Sequence, residues 1–135
     1  DGVSIYVEEG KLLFSGDSVV NGIVAVIGDG DSAILEDFLA RLLELDIEIL
    51  IPGRGHTMHG ADAVKDWLVW QASYLSGFRD HVRYELGQGR SAEAAAESVD
   101  YETFIGDRLP VDRNGMPKRH RNTVDKIVQE ELAKR

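Results

Sequence analysis

Residues 11–17 read KLLFSGD and residues 49–56 read ILIPGRGH. In each segment a short apolar run, typical of a buried strand, stops at a glycine turn that presents polar side chains. Those side chains are Asp17 in the first turn, and Arg54 and His56 in the second. One amphipathic helix is predicted between the two strands. Strand, helix and strand in this order predict a layered α/β fold, in which sites form where strands end.

The other elements are predicted from apolar periodicity and turn residues. Alternating residues 3–7, a two-residue turn at Glu9-Gly10 and a return strand at 12–14 indicate a β-hairpin. Residues 19–27 are apolar but interrupted, which favours a loop containing a short strand. Helices are predicted at about residues 32–45, 61–86, 91–99 and 119–134, with a loop at 101–118.

Two of these helices carry a clear apolar stripe. The first is capped by Asp31 or Ser32, and the inward residues predicted for it are Ile34, Leu35, Phe38, Leu39, Leu42 and Leu43. Residues 28–31 read GDGD, but they lack the spaced acidic ligands and closing glutamate of a calcium loop. In the long helix the predicted inward residues are Val64, Trp67, Leu68, Gln71, Tyr74, Leu75, Phe78 and Val82. Core packing is the favoured role of its aromatic residues.

Composition excludes several kinds of partner. The chain has 135 residues, 43% of them hydrophobic, which is enough for one compact unit. A formal net charge of −9 argues against nucleic acid and against anionic membrane surfaces as partners. There are no cysteines, so any metal must be held by His, Asp or Glu. No run is long enough to span a membrane and no signal peptide is visible, so a soluble, cytoplasmic protein is favoured.

The segments LLFSGD at 12–17, LLELD at 42–46 and IPGRGH at 51–56 together resemble the second half of the metallo-β-lactamase superfamily. In that family one strand ends in Gly-Asp and a later strand ends in a Pro-Gly-His-Gly turn. The tail, with GQGRS at 87–91 and RHRN at 119–122, is similar to the SoxH-like or quinoprotein-relay zinc hydrolases. The resemblance implies an αββα sandwich. Residues 1–86 would form a partial domain of this kind, and residues 87–135 a helical C-terminal extension packed on it.

The resemblance also implies a zinc site in the intact protein, with Asp17 as the bridging carboxylate. Two departures from the family limit this expectation. The family's His-x-His-x-Asp-His motif does not occur in the sequence, and Arg54 occupies the position of a histidine ligand. A guanidinium cannot donate a lone pair to a metal. His56, two positions later, is the candidate replacement ligand, and the 135-residue chain alone is expected to be inactive.

Each candidate residue has an alternative role. Asp17 could instead bond to backbone amides of its own turn. Arg54 could bind an anionic substrate group or pair with Asp17. His56 and His59 could share one face of a helical turn and hold a metal, or be solvated loop residues. His81 and His120 are expected at the surface, and no role is assigned to the loop residues Asp107, Asp112 and Arg113.

Two functions follow from this sequence. The first is the C-terminal half of a metal-dependent hydrolase that acts on a small-molecule ester, amide or thioester. The chain would be a fragment of this enzyme, because the start at Asp1 suggests that a native beginning is missing. The second is a non-catalytic domain that works through self-association or partner binding. One face of its sheet would be uncovered, which favours a homodimer or association with the missing half.

Overall fold

A mixed four-stranded sheet lies beside five helices in the computed structural model, which describes residues 2–105, Arg108 and residues 115–135. The strands are β1 (Ile5–Val7), β2 (Leu12–Gly16), β3 (Ile49–Pro52) and β4 (Met58–His59). The helices are α1 (Ser32–Leu42), α2 (Ala61–Gly87), α3 (Ala92–Glu97), α4 (Tyr101–Ile105) and α5 (Met116–Ala133). The layered α/β fold class predicted from the sequence is therefore confirmed.

The sheet has the order β1-β2-β3-β4, and its central pair is parallel. Helix α1 makes the crossover from β2 to β3, as expected for parallel neighbours. Leu13 pairs with Leu50 across the two strands, and both side chains are fully buried. The outer strands β1 and β4 are antiparallel to their neighbours. Because β2 and β3 are parallel, their carboxyl ends lie at the same edge of the sheet.

The hairpin between β1 and β2 has a longer turn than predicted. Val7 pairs with Leu12, so residues 8–11 form the turn. The prediction of a two-residue turn at Glu9-Gly10 is therefore wrong. The Lys11 amide donates to the Glu8 carbonyl at 3.1 Å, and Lys11 adopts a left-handed φ of 49°. This conformation directs the Lys11 carbonyl to the Glu48 amide, 2.8 Å away, and so joins the hairpin to the start of β3.

Helix α1 begins as predicted but is shorter and buries a different stripe. Its cap is Asp31, whose Oδ1 accepts from two amides of the first turn. The helix ends at Leu42 instead of near Asp46, and Ile34 is 65% exposed rather than inward. Ser32 is buried in its place, because its amide and hydroxyl donate to the Glu130 carboxylate on α5. The first turn of α1 is thus held by polar contacts.

The long helix α2 matches its prediction closely. It spans Ala61–Gly87, and all eight residues predicted to face inward are buried. Apolar residues from both sides of the predicted boundary at residues 86 and 87 form one core cluster, which reaches from Leu13 to Val128. The division into a partial domain and an extension stays a prediction. Of the helices that the structure describes, none is long and apolar enough to cross a membrane.

Three local predictions fail where tertiary contacts decide the structure. Residues 19–27 contain no strand; their carbonyls instead accept side-chain donors, as Val20 does from Trp67 Nε1 at 2.8 Å. Strand β4 lies in the segment predicted as a glycine loop. Helix α4 lies in the predicted loop 101–118, with Asp100 accepting from the Thr103 amide at 2.9 Å. Asp107, Asp112 and Arg113 lie outside the described residues.

The expected surface position of His120 is wrong, since this residue is only 3% exposed. Its Nε2 lies 2.7 Å from the Val99 carbonyl and its Nδ1 lies 3.0 Å from the Tyr74 hydroxyl. A carbonyl only accepts, so the proton is assigned to Nε2 and the tyrosine hydroxyl donates to Nδ1. His81 is half-buried and bonds to the Ser98 hydroxyl at 3.1 Å. Both histidines therefore tie the residues that follow α3 to other helices.

This burial of His120 predicts a loss of stability in mild acid. Desolvation lowers the pKa of His120, partly offset by the Val99 carbonyl and the Asp100 charge. Below a pH of about 6.5 the unfolded chain binds a proton at this site that the folded chain does not. The free energy of unfolding should therefore fall as the pH falls. The slope should be at most about 1.4 kcal/mol per pH unit. Urea unfolding at several pH values measures this slope. In His120→Gln the slope should flatten, whereas the exposed-site control His59→Gln should keep it; equal slopes in all three proteins would contradict the assignment.

Candidate functional site

The candidate site lies at the edge where the parallel strands β2 and β3 end. The Gly53 amide donates to the Gly16 carbonyl at 2.7 Å, which holds the two strand ends together. The next residues are Asp17 after β2 and Arg54 after β3, and Arg54 Nε lies 3.6 Å from Asp17 Oδ1. The two polar residues that the sequence placed at strand ends are therefore brought together.

Glycine is required at this edge because the two backbones approach so closely. A Cβ at Gly53 would lie 2.6 Å from the Gly16 carbonyl carbon and 2.8 Å from Asp17 Oδ1. The strand pairing is also irregular between Phe14 and Gly16, and Gly16 has a left-handed φ of 54°. An irregularity of this kind bends a strand and redirects the next side chain. Here that side chain is Asp17, which is directed out of the sheet.

Asp17 and Arg54 form a loose, solvated ion pair. Their side chains are 72% and 61% exposed, and a pair of this exposure contributes at most about 1 kcal/mol to stability. The pair therefore does little to hold the fold together. Its chemical capacity is that of a hard carboxylate donor beside a permanently charged hydrogen-bond donor, and both groups remain accessible to a ligand.

The two loop histidines are not brought to this pair. The His56 backbone carbonyl accepts from Asn21 Nδ2 at 2.7 Å, while the residue lines a different cavity together with Met58 and Trp67. His59 lies in β4, opposite Ile49, and is exposed. The helical turn suggested for these histidines is wrong, because residues 53–55 form a bend, residues 56 and 57 have no regular structure, and His59 belongs to β4.

A zinc ion does not fit the residues present. Structural and catalytic zinc sites use at least three protein ligands from Cys, His, Asp or Glu. Within residues 2–105, Arg108 and 115–135 no group of three such side chains is placed to hold a metal. The charged neighbour of Asp17 is a cation, Arg54, which opposes a second cation at the same point. Asp17 can serve as one ligand, but only together with ligands that this part of the chain does not provide.

Sequence reasoning missed a group of α5 residues that face Asp17. A cleft with a volume of about 580 Å³ opens beside the ion pair. It is lined by Asp17, Val20, Val26, Arg54, Gly115, Lys118, Arg119 and Asn122. Helical periodicity puts positions 118, 119 and 122 on one face of a helix, which was a usable signal. No local pattern, however, indicates that this face meets a strand end that lies about a hundred residues earlier in the chain.

Comparison with known proteins identifies the fold and leaves the family open. No family model matches the chain, and no curated protein matches it. Two solved structures with a TM-score of 0.68 and 16% sequence identity are the stereoselective inverting sec-alkylsulfatase Pisa1 from Pseudomonas sp. and a double mutant of the sec-alkyl sulfatase PisA1. Each match covers 96% of this chain and 22% of the sulfatase. The chain therefore spans about a fifth of the length of these sulfatases and shares the metallo-β-lactamase-type fold of that part.

Proposed function

We propose that this chain is the C-terminal half of a metal-dependent hydrolase of the metallo-β-lactamase superfamily. The observation that carries the proposal is the position of Asp17, which follows β2 directly beside the glycine turn of β3. The resemblance in sequence gives this position to the family's bridging carboxylate. The similarity to sec-alkylsulfatases supports the proposal at the level of the fold.

An uncovered apolar face of the sheet supports the existence of a partner layer. Side chains alternate between the two faces of a strand, and directly paired residues share a face. Leu13 and Leu50 are buried under the helices, so the opposite face carries Ile5, Val7, Leu12, Phe14, Ile49 and Ile51. On this face Ile5 is 58% and Phe14 is 41% exposed. In a four-layer sandwich a second sheet would cover it.

Zinc would be held jointly by the two halves. Asp17 supplies one carboxylate, and the remaining ligands would come from the half that carries the family's histidine motif. The substrate is proposed to be a small molecule with an ester, amide, thioester or similar group. The 135-residue chain alone is proposed to be inactive, because its described residues do not assemble a metal site.

Hydrolysis assays test this proposal directly. The product of the full reading frame and the 135-residue chain are assayed side by side on p-nitrophenyl esters, a thioester and a secondary alkyl sulfate. We expect turnover only by the longer protein, with loss of turnover in its Asp17→Asn variant. Turnover by the 135-residue chain, or an unaffected Asp17→Asn variant, would refute the division of the site between two halves.

A second candidate function is a non-catalytic association domain, and the Arg54–Asp17 pair favours it. The guanidinium neutralises the carboxylate that a metal would need. In this case the apolar sheet face would pack against a second copy of the chain. A reading frame that encodes the family's histidine motif upstream would count against this function, and a frame without it would favour it.

The sheet face also predicts how the isolated chain behaves. Phe14→Lys places a charge at the centre of the apolar face and should convert a self-associating chain into a monomer, as judged by sedimentation velocity over a range of concentrations. Leu132→Lys is the matched control, because Leu132 is 42% exposed on α5, a helix that packs against α2, α3 and α4. The control should associate like the original chain. If Phe14→Lys also associates like the original chain, the surface through which the chain self-associates is not this sheet face.

A further inference from the structure

The cleft beside Asp17 concentrates positive charge in an acidic protein. The chain has 15 Lys and Arg residues against 24 Asp and Glu residues. Three of the cations, Arg54, Lys118 and Arg119, line this cleft, and among the described residues of its lining Asp17 alone is acidic. A cavity with this local balance attracts anions even though the whole molecule repels them.

Lys118 and Arg119, the two cations of α5 that line the cleft, carry donors that the described residues do not use. Arg119 Nε donates to the Val24 carbonyl at 3.0 Å, which fixes the guanidinium, and no bond in the described part of the chain involves its Nη groups. Lys118 makes no ion pair with a residue that the structure describes. By contrast Arg121, on the same helix, is held by Asp125 at 2.7 Å and by Glu93 at 3.0 Å. On α5, therefore, Arg121 is paired within the described chain, while Lys118 and the Nη groups of Arg119 are available at the cleft.

The start of α5 adds to the positive potential of the cleft. Gly115 lines the cleft and is the N-cap of this 18-residue helix, and no side chain of the described residues caps its first amides. An uncapped helix start carries partial positive charge from its free amide groups. The dipole therefore acts in the same direction as the charged side chains.

The walls of the cleft are held in place by hydrogen bonds between α5 and residues 19–27. Thr123 Oγ1 donates to the Ala25 carbonyl at 2.7 Å, next to the bond from Arg119 to Val24. These bonds fix α5 against the segment that contributes Val20 and Val26 to the lining. A site held in this way needs little reorganisation when a ligand binds. Its volume of about 580 Å³ suits a small molecule.

We infer that this cleft binds a tetrahedral oxyanion, the sulfate or phosphate group of a small-molecule ester, through Arg54, Lys118, Arg119 and Asn122. Planar guanidinium groups match two oxygens of such a group, while Lys118 adds a point charge and Asn122 a neutral donor. Asp17 opposes the anion and competes with it for Arg54. The inference extends the proposed function by naming a substrate class, but binding itself requires only residues of this chain.

Isothermal titration of the 135-residue chain with sodium sulfate and sodium phosphate tests the inference, with ionic strength held constant by sodium chloride. Lys118→Gln and Arg54→Gln should each weaken binding roughly fivefold, the loss expected for one exposed charge pair. Lys65→Gln removes the same charge from α2, where Lys65 lines another cavity, and should bind like the original chain. Asp17→Asn should strengthen binding, because Arg54 loses its competing carboxylate.

The outcomes separate this inference from the proposed hydrolase. Binding that weakens equally in Lys65→Gln and Lys118→Gln would show a general charge effect and overturn the site, as would a chain that binds neither anion. Weaker binding in Asp17→Asn would overturn the role given to that carboxylate. Since no metal and no turnover enter the titration, the oxyanion site stands or falls independently of hydrolysis.

Discussion

Gly55→Ala is expected to destabilise the protein by about 3 to 5 kcal/mol, the combined cost of backbone strain and a steric clash. Gly55 has a left-handed φ of 91°, and an added Cβ would lie well inside van der Waals contact with the Asn21 carbonyl oxygen. Relief of the clash would break the bond from the Asn21 amide to the Arg54 carbonyl, now 3.0 Å long. The change should therefore disturb the position of Arg54 as well as the free energy of unfolding.

Gly60→Ala is the control that separates strain from clash. Gly60 has a similar φ of 103°, but an added Cβ there would meet nothing within 4 Å. Its cost should be limited to the strain, about 1 to 3 kcal/mol. Urea denaturation of both variants gives the comparison. Equal losses of stability would show that Gly55 does not sit against the Asn21 carbonyl as described.

Phe78→Ala should cost about 3 to 5 kcal/mol, because it empties the centre of the aromatic core. Phe78 is fully buried, with its ring centroid 4.0 Å from that of Tyr74, 4.9 Å from His120 and 5.2 Å from Phe104. These contacts join α2, α4 and α5. Their loss should lower the midpoint of thermal unfolding and release the packing around His120.

Ile34→Ala provides the comparison, because apolar periodicity assigned both residues to the core. Ile34 is 65% exposed, so its truncation should change the free energy of unfolding by no more than about 0.5 kcal/mol. Thermal unfolding of the two variants measures the difference. A large loss in Ile34→Ala, or a small one in Phe78→Ala, would contradict the helix orientations described here.

The elements that could be predicted from the sequence are those whose partners follow from local pattern. In α2 the predicted apolar stripe, from Val64 to Val82, runs for about five turns, so one orientation buries every member of it, and each predicted inward residue is buried. The strand ends at Gly16 and Pro52 were visible because turn residues interrupt apolar runs. The meeting of Asp17 and Arg54 then follows from the parallel pairing of their strands.

The failures lie where distant polar contacts override local pattern. The segment RHRN at residues 119–122 looks solvated, yet the fold supplies His120 with Tyr74 and Val99 as partners and so buries it. At the start of α1 the Glu130 carboxylate selects Ser32 for burial instead of Ile34. The cleft on α5 could not be assigned for the same reason. Its cations come together to line a cleft only when α5 packs beside the ends of β2 and β3.

The most direct test of the central claim is the zinc content of the protein encoded by the full reading frame that contains this chain. Intact mass identifies the purified product, and metal is measured on the same sample for the original protein and for Asp17→Asn. We predict stoichiometric zinc in the original protein and reduced zinc in the variant, because Asp17 would supply one of the ligands. A product without stoichiometric zinc, or equal zinc in both proteins, would contradict the claim that this strand edge forms half of a metal centre.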